Sequence, residues 1–157
     1  MNKPFILLLV FAMAVSSCSV SKMAREQRNF LSGTWTLTDV SYENATGNFQ
    51  SVIFNDAKDI CFEGSDWFFR DNNSTGRYTL ATSTLCQGGD RFFRWSVVDG
   101  SPNQLQFKRI DEKNKDISGG LGYRLNITSL TTTEMTLKSN ATVGADRVTI
   151  VYQFNKK

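Results

Sequence analysis

The sequence predicts an all-β domain, an eight-stranded antiparallel up-and-down β-barrel with a short N-terminal helical turn. Three observations carry that expectation. About eight runs alternate apolar and polar residues with a period of two. Clusters of turn-forming residues separate those runs at hairpin spacing. No long helical run interrupts them, which excludes a sheet built from strand–helix–strand units.

The chain opens with an export signal. Lys3 supplies a positive start and residues 5–15 form an apolar run, too short for the roughly 20 residues that span a bilayer but right for a secretory leader. Val15-Ser16-Ser17-Cys18 follows and resembles a lipobox, where a branched apolar and two small residues precede an acylated cysteine. The expected organisation is a leader at 1–17, a lipidated tether with a helical turn at 18–32, and a barrel domain at 33–157. Ordinary cleavage after Ala14 or Ser17 would leave a soluble secreted protein instead. No acidic cluster follows Cys18, and such clusters look like the surface-export signals of some bacterial lipoproteins. The expected place is therefore the outer membrane facing the periplasm, with the cell surface as the alternative.

Cysteine usage agrees. Cys18 is odd among three cysteines, and an unpaired thiol in an exported chain calls for an explanation. Lipidation explains it and leaves Cys61 and Cys86 as candidates for a disulfide, in a compartment where one persists. A reactive or metal-binding pair would need a closer spacing or a histidine, and the chain has neither.

Residues 19–32 are polar, with Met23, Gln27, Phe30 and Leu31 at helical spacing, so a helical turn is expected to plug one end of the fold. Strands follow from Gly33. Trp67 and Phe69 share a parity, as do Tyr78 and Leu80, then Phe93, Trp95 and Val97, then Leu105 and Phe107. Tyr123, Leu125 and Ile127 form the next inward set, followed by Met135 and Leu137, then Val148, Ile150, Tyr152 and Phe154. Strong β-formers dominate these runs. Turns fall at residues 71–76, 99–103, 118–120 and 143–146. A barrel is favoured over an immunoglobulin-type sandwich because Cys61 and Cys86 lie too close in sequence to bracket a core tryptophan between sheets. Closure also removes sheet edges that would otherwise need protection.

At Gly33-Thr34-Trp35 the chain resembles the lipocalin signature, in which the tryptophan packs inside the closed end of the barrel. The wider pattern is similar to the lipocalin-like domain of bacterial envelope lipoproteins. It runs through Cys61-Phe62-Glu63-Gly64-Ser65-Asp66-Trp67, Gly76-x-Tyr78-x-Leu80, Cys86, Trp95, Gly122-Tyr123-Arg124 and Tyr152-x-Phe154. The longer eukaryotic lipocalins add a Thr-Asp-Tyr motif and an arginine crossing the tryptophan. The motif is missing here, and only Lys156 or Arg147 could replace that arginine. The resemblance implies a barrel with room for a small ligand and names no ligand.

Composition narrows the chemistry. The chain has 18 basic and 15 acidic side chains, a net +3 that becomes +2 when Lys3 leaves with the leader. These charges are interspersed, so no basic stripe suits nucleic acid. The absence of histidine removes histidine-dependent triads, bases and zinc sites. Glu63 and Asp66 are the nearest carboxylate pair and read as solvated loop groups. Asp71-x-Asn73-x-Thr75-Gly76 begins like a calcium loop, but its twelfth position is Thr82 where a glutamate is needed. The expectation is a non-enzymatic protein without metal or cofactor.

The aromatic residues Trp67, Phe69, Phe93, Trp95, Phe107 and Tyr123 are the candidate barrel-interior binding residues. A barrel of this size is either packed solid or holds one small ligand. Two functions remain: binding or carrying a small apolar molecule, or serving as a solid accessory subunit of an envelope complex with an unidentified protein partner. The membrane is the expected partner at the lipid end. Cys18→Ala is expected to shift the protein from the membrane to the soluble fraction or to block its maturation, because multiple acyl chains give stable anchoring. Fractionation with an immunoblot for the precursor checks this, and unchanged distribution and processing would refute it.

Overall fold

The computed structural model describes residues 21–45, 50–143 and 146–157. The leader and Cys18 lie outside these residues. Helix α1 (Lys22–Leu31) comes first, then β1 (Gly33–Glu43), the short strands β2 (Val52–Ile53) and β3 (Ala57–Lys58), and a single 3-10 turn (Asp59–Cys61). The remaining strands are β4 (Asp66–Arg70), β5 (Thr75–Leu80), β6 (Gly89–Val98), β7 (Gln104–Ile110), β8 (Tyr123–Leu130), β9 (Glu134–Val143) and β10 (Asp146–Lys156).

Eight of these strands close an antiparallel barrel in the order β1-β10-β9-β8-β7-β6-β5-β4. Each strand from β4 onward pairs with its successor, the up-and-down arrangement that the hairpin turns predict. Strand β1 closes the ring. One edge carries residues 35–43 against β10, and the other pairs residues 33–36 with β4. The inward alternation is as the sequence reads it: Trp67, Phe69, Tyr78, Phe93, Trp95, Leu105, Phe107, Leu125, Met135, Leu137 and Phe154 are all buried. The disulfide joins Cys61 to Cys86.

Two glycines are fixed by this packing. Gly33 has φ +114°, a region that favours glycine, and its missing Cβ would stand 3.3 Å from the Lys156 side chain. A Cβ on Gly76 would fall 2.3 Å from the Phe93 ring, so β5 leaves that volume to the neighbouring phenylalanine.

The N-terminal segment is more regular than a helical turn. It forms ten helical residues, with the Ser21 side chain capping the first turn by accepting from the Ala24 amide at 3.1 Å. This helix closes one end. Leu31 is fully buried and its carbonyl accepts from Trp35 Nε1 at 2.8 Å. Arg28 lies 4.6 Å from the centre of the Trp95 ring and pairs with Asp71 of the β4–β5 turn. Gln27 accepts from buried Asn103 at 2.9 Å. Lys156 Nζ sits 5.0 Å over Trp35 and donates to the Phe30 carbonyl at 2.8 Å. It therefore supplies the cation over the tryptophan, and the sequence's alternative, Arg147, does not.

The wall at this end is solid. Trp95 is 2 % exposed, meets Phe69 edge-on at 5.4 Å, and donates from Nε1 to the Thr75 carbonyl at 3.0 Å. Trp95→Ala is expected to cost about 3–5 kcal/mol, as for a large aromatic removed from a packed core. Urea unfolding followed by far-ultraviolet circular dichroism measures it. A loss below about 1 kcal/mol would show that the ring borders empty space instead.

Candidate functional site

The opposite end, the mouth, is built differently. After β1 the chain crosses over the barrel, and residues 50–65 lie across its opening. β2 and β3 form a miniature hairpin, with Val52 opposite Lys58 and Ile53 opposite Ala57. Its turn closes through the Asp56 amide on the Ile53 carbonyl at 3.1 Å. The two central residues, Phe54 and Asn55, have φ of 54° and 46°. Such turns prefer asparagine and glycine, and a bulky left-handed residue costs on the order of 1–2 kcal/mol.

What offsets that cost is the place the Phe54 ring reaches. It drops into the barrel and meets Phe62, Trp67, Phe107, Tyr123 and Tyr152, with ring centres 5.0–5.9 Å away. Edge-to-face aromatic pairs contribute about 0.5–1.5 kcal/mol each beyond area burial. The Phe54 carbonyl also accepts from the Tyr123 hydroxyl at 2.6 Å.

Asp56, two residues on, points inward too. Its carboxylate accepts from the Tyr78 hydroxyl at 2.8 Å and from Arg91 Nε at 3.2 Å, and lies 3.4 Å from Arg109 Nη1. Arg91 and Arg109 occupy inward positions at the mouth ends of β6 and β7, in register with the core residues Phe93 and Phe107. Tyr42 holds the base of the same segment, bonded to Ser51 at 2.7 Å and to Asp59. The Cys61–Cys86 bond ties it to the β5–β6 loop.

Asp56 ties the hairpin to Tyr78 of β5, Arg91 of β6 and Arg109 of β7, and Phe54 ties it to Tyr123 of β8 and Tyr152 of β10. Pairing between β8 and β9 stops at Asn126 and Lys138, whereas β9 and β10 stay paired out to Ala141 and Val148 and beyond. Strands β8 and β9 therefore splay at the mouth. A cleft of about 260 Å³ fills the gap, lined by Ile53, Phe54, Tyr123, Leu125, Ser139, Ile150 and Tyr152 among others. Its lining is mixed: apolar side chains form one side, while Arg124, Asn140, the Tyr123 hydroxyl and the Ser139–Tyr152 pair, whose oxygens are 3.1 Å apart, supply polar groups.

The six aromatic residues singled out from the sequence share one interior. Trp67, Phe69, Phe93, Trp95 and Phe107 are at most 2 % exposed and pack ring against ring, mostly edge-on or tilted. Tyr123 is half-buried and lines the mouth cleft. Glu63 and Asp66 do not form a pair: Asp66 binds Lys157 at 2.6 Å and Thr36 at 2.9 Å, and Lys157 holds its carboxyl below the usual range. The residues at 71–76 form the β4–β5 turn, with the Asn73 side chain accepting from Thr75. The hairpin carrying Phe54 and Asp56 escaped sequence reasoning because its strands are two residues long. Asn55-Asp56 after the apolar run Val52-Ile53-Phe54 was the available turn signal.

Together these features define a closed antiparallel barrel with one end plugged by a helix and the other partly covered by a hairpin. The chain belongs to the lipocalin-like domain family, whose model matches residues 31–137. Among solved structures, a lipocalin-like protein from Bacteroides uniformis is 14% identical with a TM-score of 0.48, covering 82% of this chain and 99% of that one. Bovine odorant binding protein, solved with a selenium-containing odorant, is 10% identical with a TM-score of 0.44, covering 88% of this chain and 74% of its own. No curated protein matches the chain.

All four tyrosines lie at this end. Burial pushes Tyr42 and Tyr152 up to about 12, with Asp59 adding to the shift at Tyr42. Burial raises Tyr78 and Tyr123 as well, and the Asp56 charge reinforces both. A hydroxyl whose folded value exceeds its unfolded one stabilises the fold fully below the unfolded value, about 10. Stability should therefore hold below pH 10 and decline as pH rises from about 10 to about 12. Phenolate absorbance checks this: the native protein should show no ionisation step near 10, and the urea-unfolded protein should show all four. A native step at the ordinary value would place a hydroxyl in open water.

Proposed function

We propose that this protein binds a small apolar molecule at the barrel mouth, from a lipid anchor on the bacterial cell envelope, and is not an enzyme. The observation that carries the reading is the cleft between β8 and β9, where Ile53, Phe54, Leu125, Ile150 and Tyr152 form an apolar side and Arg124, Ser139 and Asn140 a polar one. It lies just under the roughly 300–1,000 Å³ of ordinary ligand sites, which suits a compact ligand. Phe54 and Tyr152, stacked with ring centres 5.5 Å apart, give that ligand an aromatic surface to lie against.

The anchor complements this arrangement. Cys18 precedes the helix cap Ser21 by three residues, at most about 10 Å of extended chain. Lipidation there would hold the helix end against the membrane, proposed to be the outer membrane, and turn the mouth toward the periplasm. The lack of histidine supports a binding role over a catalytic one.

A second reading, a docking subunit of an envelope complex, has its own observation. Ile60, Leu85, Ile117 and Leu121 are all more than half exposed, and all lie in mouth-end segments.

Ser139→Trp tests the first reading. The new ring would occupy the cleft from the inner face of β9, so the fold should survive. The neutral probe N-phenyl-naphthylamine should bind the wild-type soluble domain with a rise in fluorescence, and bind the variant at least about tenfold more weakly, a loss of roughly 1.4 kcal/mol. Equal binding by both proteins, or none by the wild type, refutes a ligand in this cleft.

A further inference from the structure

The mouth holds more positive charge than the hairpin neutralises. Arg91 and Arg109 both project into the barrel opening, and among the described residues both form their ion pairs with Asp56 alone. Asp56 is 8 % exposed in its side chain, so two guanidinium groups share one nearly buried carboxylate. Arg91 is otherwise satisfied, donating to the Gly88 and Gln87 carbonyls at 3.1 and 2.9 Å. Arg109 is not: its Nε is buried and has no hydrogen-bond partner. A buried, unmatched donor on a charged group is costly to leave, and fixed guanidinium forks match a carboxylate better than any other common group.

The hairpin fills this place in two parts. Phe54 puts an aromatic ring among five others, and Asp56 puts a carboxylate on Arg91, Arg109 and Tyr78. The left-handed backbone at Phe54 and Asn55 is what turns both side chains the same way. An apolar body with a carboxylate a few bonds away is also the description of an organic acid.

Resting on the reading that the mouth binds apolar ligands, we propose that Arg91, Arg109 and Tyr78 form a carboxylate-binding site. In the present conformation the chain's own Asp56 occupies that site. The cognate ligand class is an apolar carboxylic acid, whose carboxylate replaces Asp56 and whose apolar part takes the space of the Phe54 ring. The hairpin then moves aside about its base, where the Tyr42–Ser51–Asp59 cluster and the Cys61–Cys86 disulfide hold the segment, and the Tyr123 bond to the Phe54 carbonyl is given up. A cluster that served only to fasten the hairpin would bind no external anion once Asp56 was gone.

The test uses the full mature domain and two probes, dansyl-labelled undecanoic acid and its neutral methyl ester. Asp56→Asn keeps the shape and removes the competing charge. The acid should bind this variant at least about tenfold more tightly than the wild type, the scale of one charge-assisted hydrogen bond, while affinity for the ester stays within about twofold. Adding Arg91→Gln and Arg109→Gln should abolish the preference for the acid. An Asp56→Asn variant that binds acid and ester alike, or neither, overturns the proposal. Wild-type binding of N-phenyl-naphthylamine separates the two failures: if that probe binds while acid selectivity is missing, the cleft stands and the carboxylate site falls. Should Asp56→Asn not fold, Tyr42→Phe loosens the hairpin with every charge in place. An increased acid-to-ester affinity ratio in that variant supports the site, and an unchanged ratio overturns it.

Discussion

The whole molecule depends on β1 being paired along both of its edges. A sheet of eight strands left open would present two rows of unpaired amides and carbonyls, which invite association with other chains. Here residues 33–36 of β1 pair with β4 while residues 35–43 pair with β10. Where β4 ends, the chain that follows β3 takes over: Gly64 donates to the Leu37 carbonyl at 2.7 Å and Leu37 donates to that of Ser65 at 2.9 Å. The crossing segment is thus an extension of barrel closure. Its position over the mouth is fixed by the same hydrogen-bonding requirement that closes the ring.

Closure sets what the interior must hold. Inward side chains of an eight-stranded barrel converge on one narrow volume, and this chain fills it with aromatic rings. Gly76 yields its side-chain space to Phe93, and Trp67 stacks on Tyr78 with ring centres 4.5 Å apart. The aromatic content that resembles a ligand-binding interior in the sequence is therefore largely consumed by packing at the helix end and middle of the barrel. Among the described residues, the interior opens where β8 parts from β9.

Much of the barrel was legible in the sequence, because period-two patterning acts on every strand and a slip of one residue would reverse each inward face. Val148, Ile150, Tyr152 and Phe154 announced β10, and Gly33 and Trp35 announced the closed end. Lys156 was legible as a candidate cation over Trp35. The site was less so. Arg91 and Arg109 continue the inward parity of Phe93 and Phe107, but an arginine at such a position ordinarily reads as the solvated end of a strand. Its inward role depends on Asp56, and Asp56 arrives from a hairpin whose strands are too short to leave a periodic signal. The splay of β8 from β9 is a difference in pairing length, which side-chain alternation does not encode.

The two ends of the barrel are stabilised by opposite kinds of interaction. At the helix end, the polar contacts cap apolar packing. Trp35, Trp95 and Leu31 are at most 2 % exposed, and the arginine and lysine there lie over rings, keeping part of their charge toward water. Disturbing that end opens a cavity in a close-packed core, with no compensation available. At the mouth, the hairpin is held by a nearly buried ion cluster, a left-handed turn and one phenylalanine. A buried ion pair returns little net stability once desolvation is counted, and the strained turn subtracts from the gain of seating Phe54. The hairpin therefore sits near balance, held by contacts that an incoming molecule of similar chemistry could reproduce. The barrel beneath it does not share that balance, so exchange at the mouth need not loosen the fold.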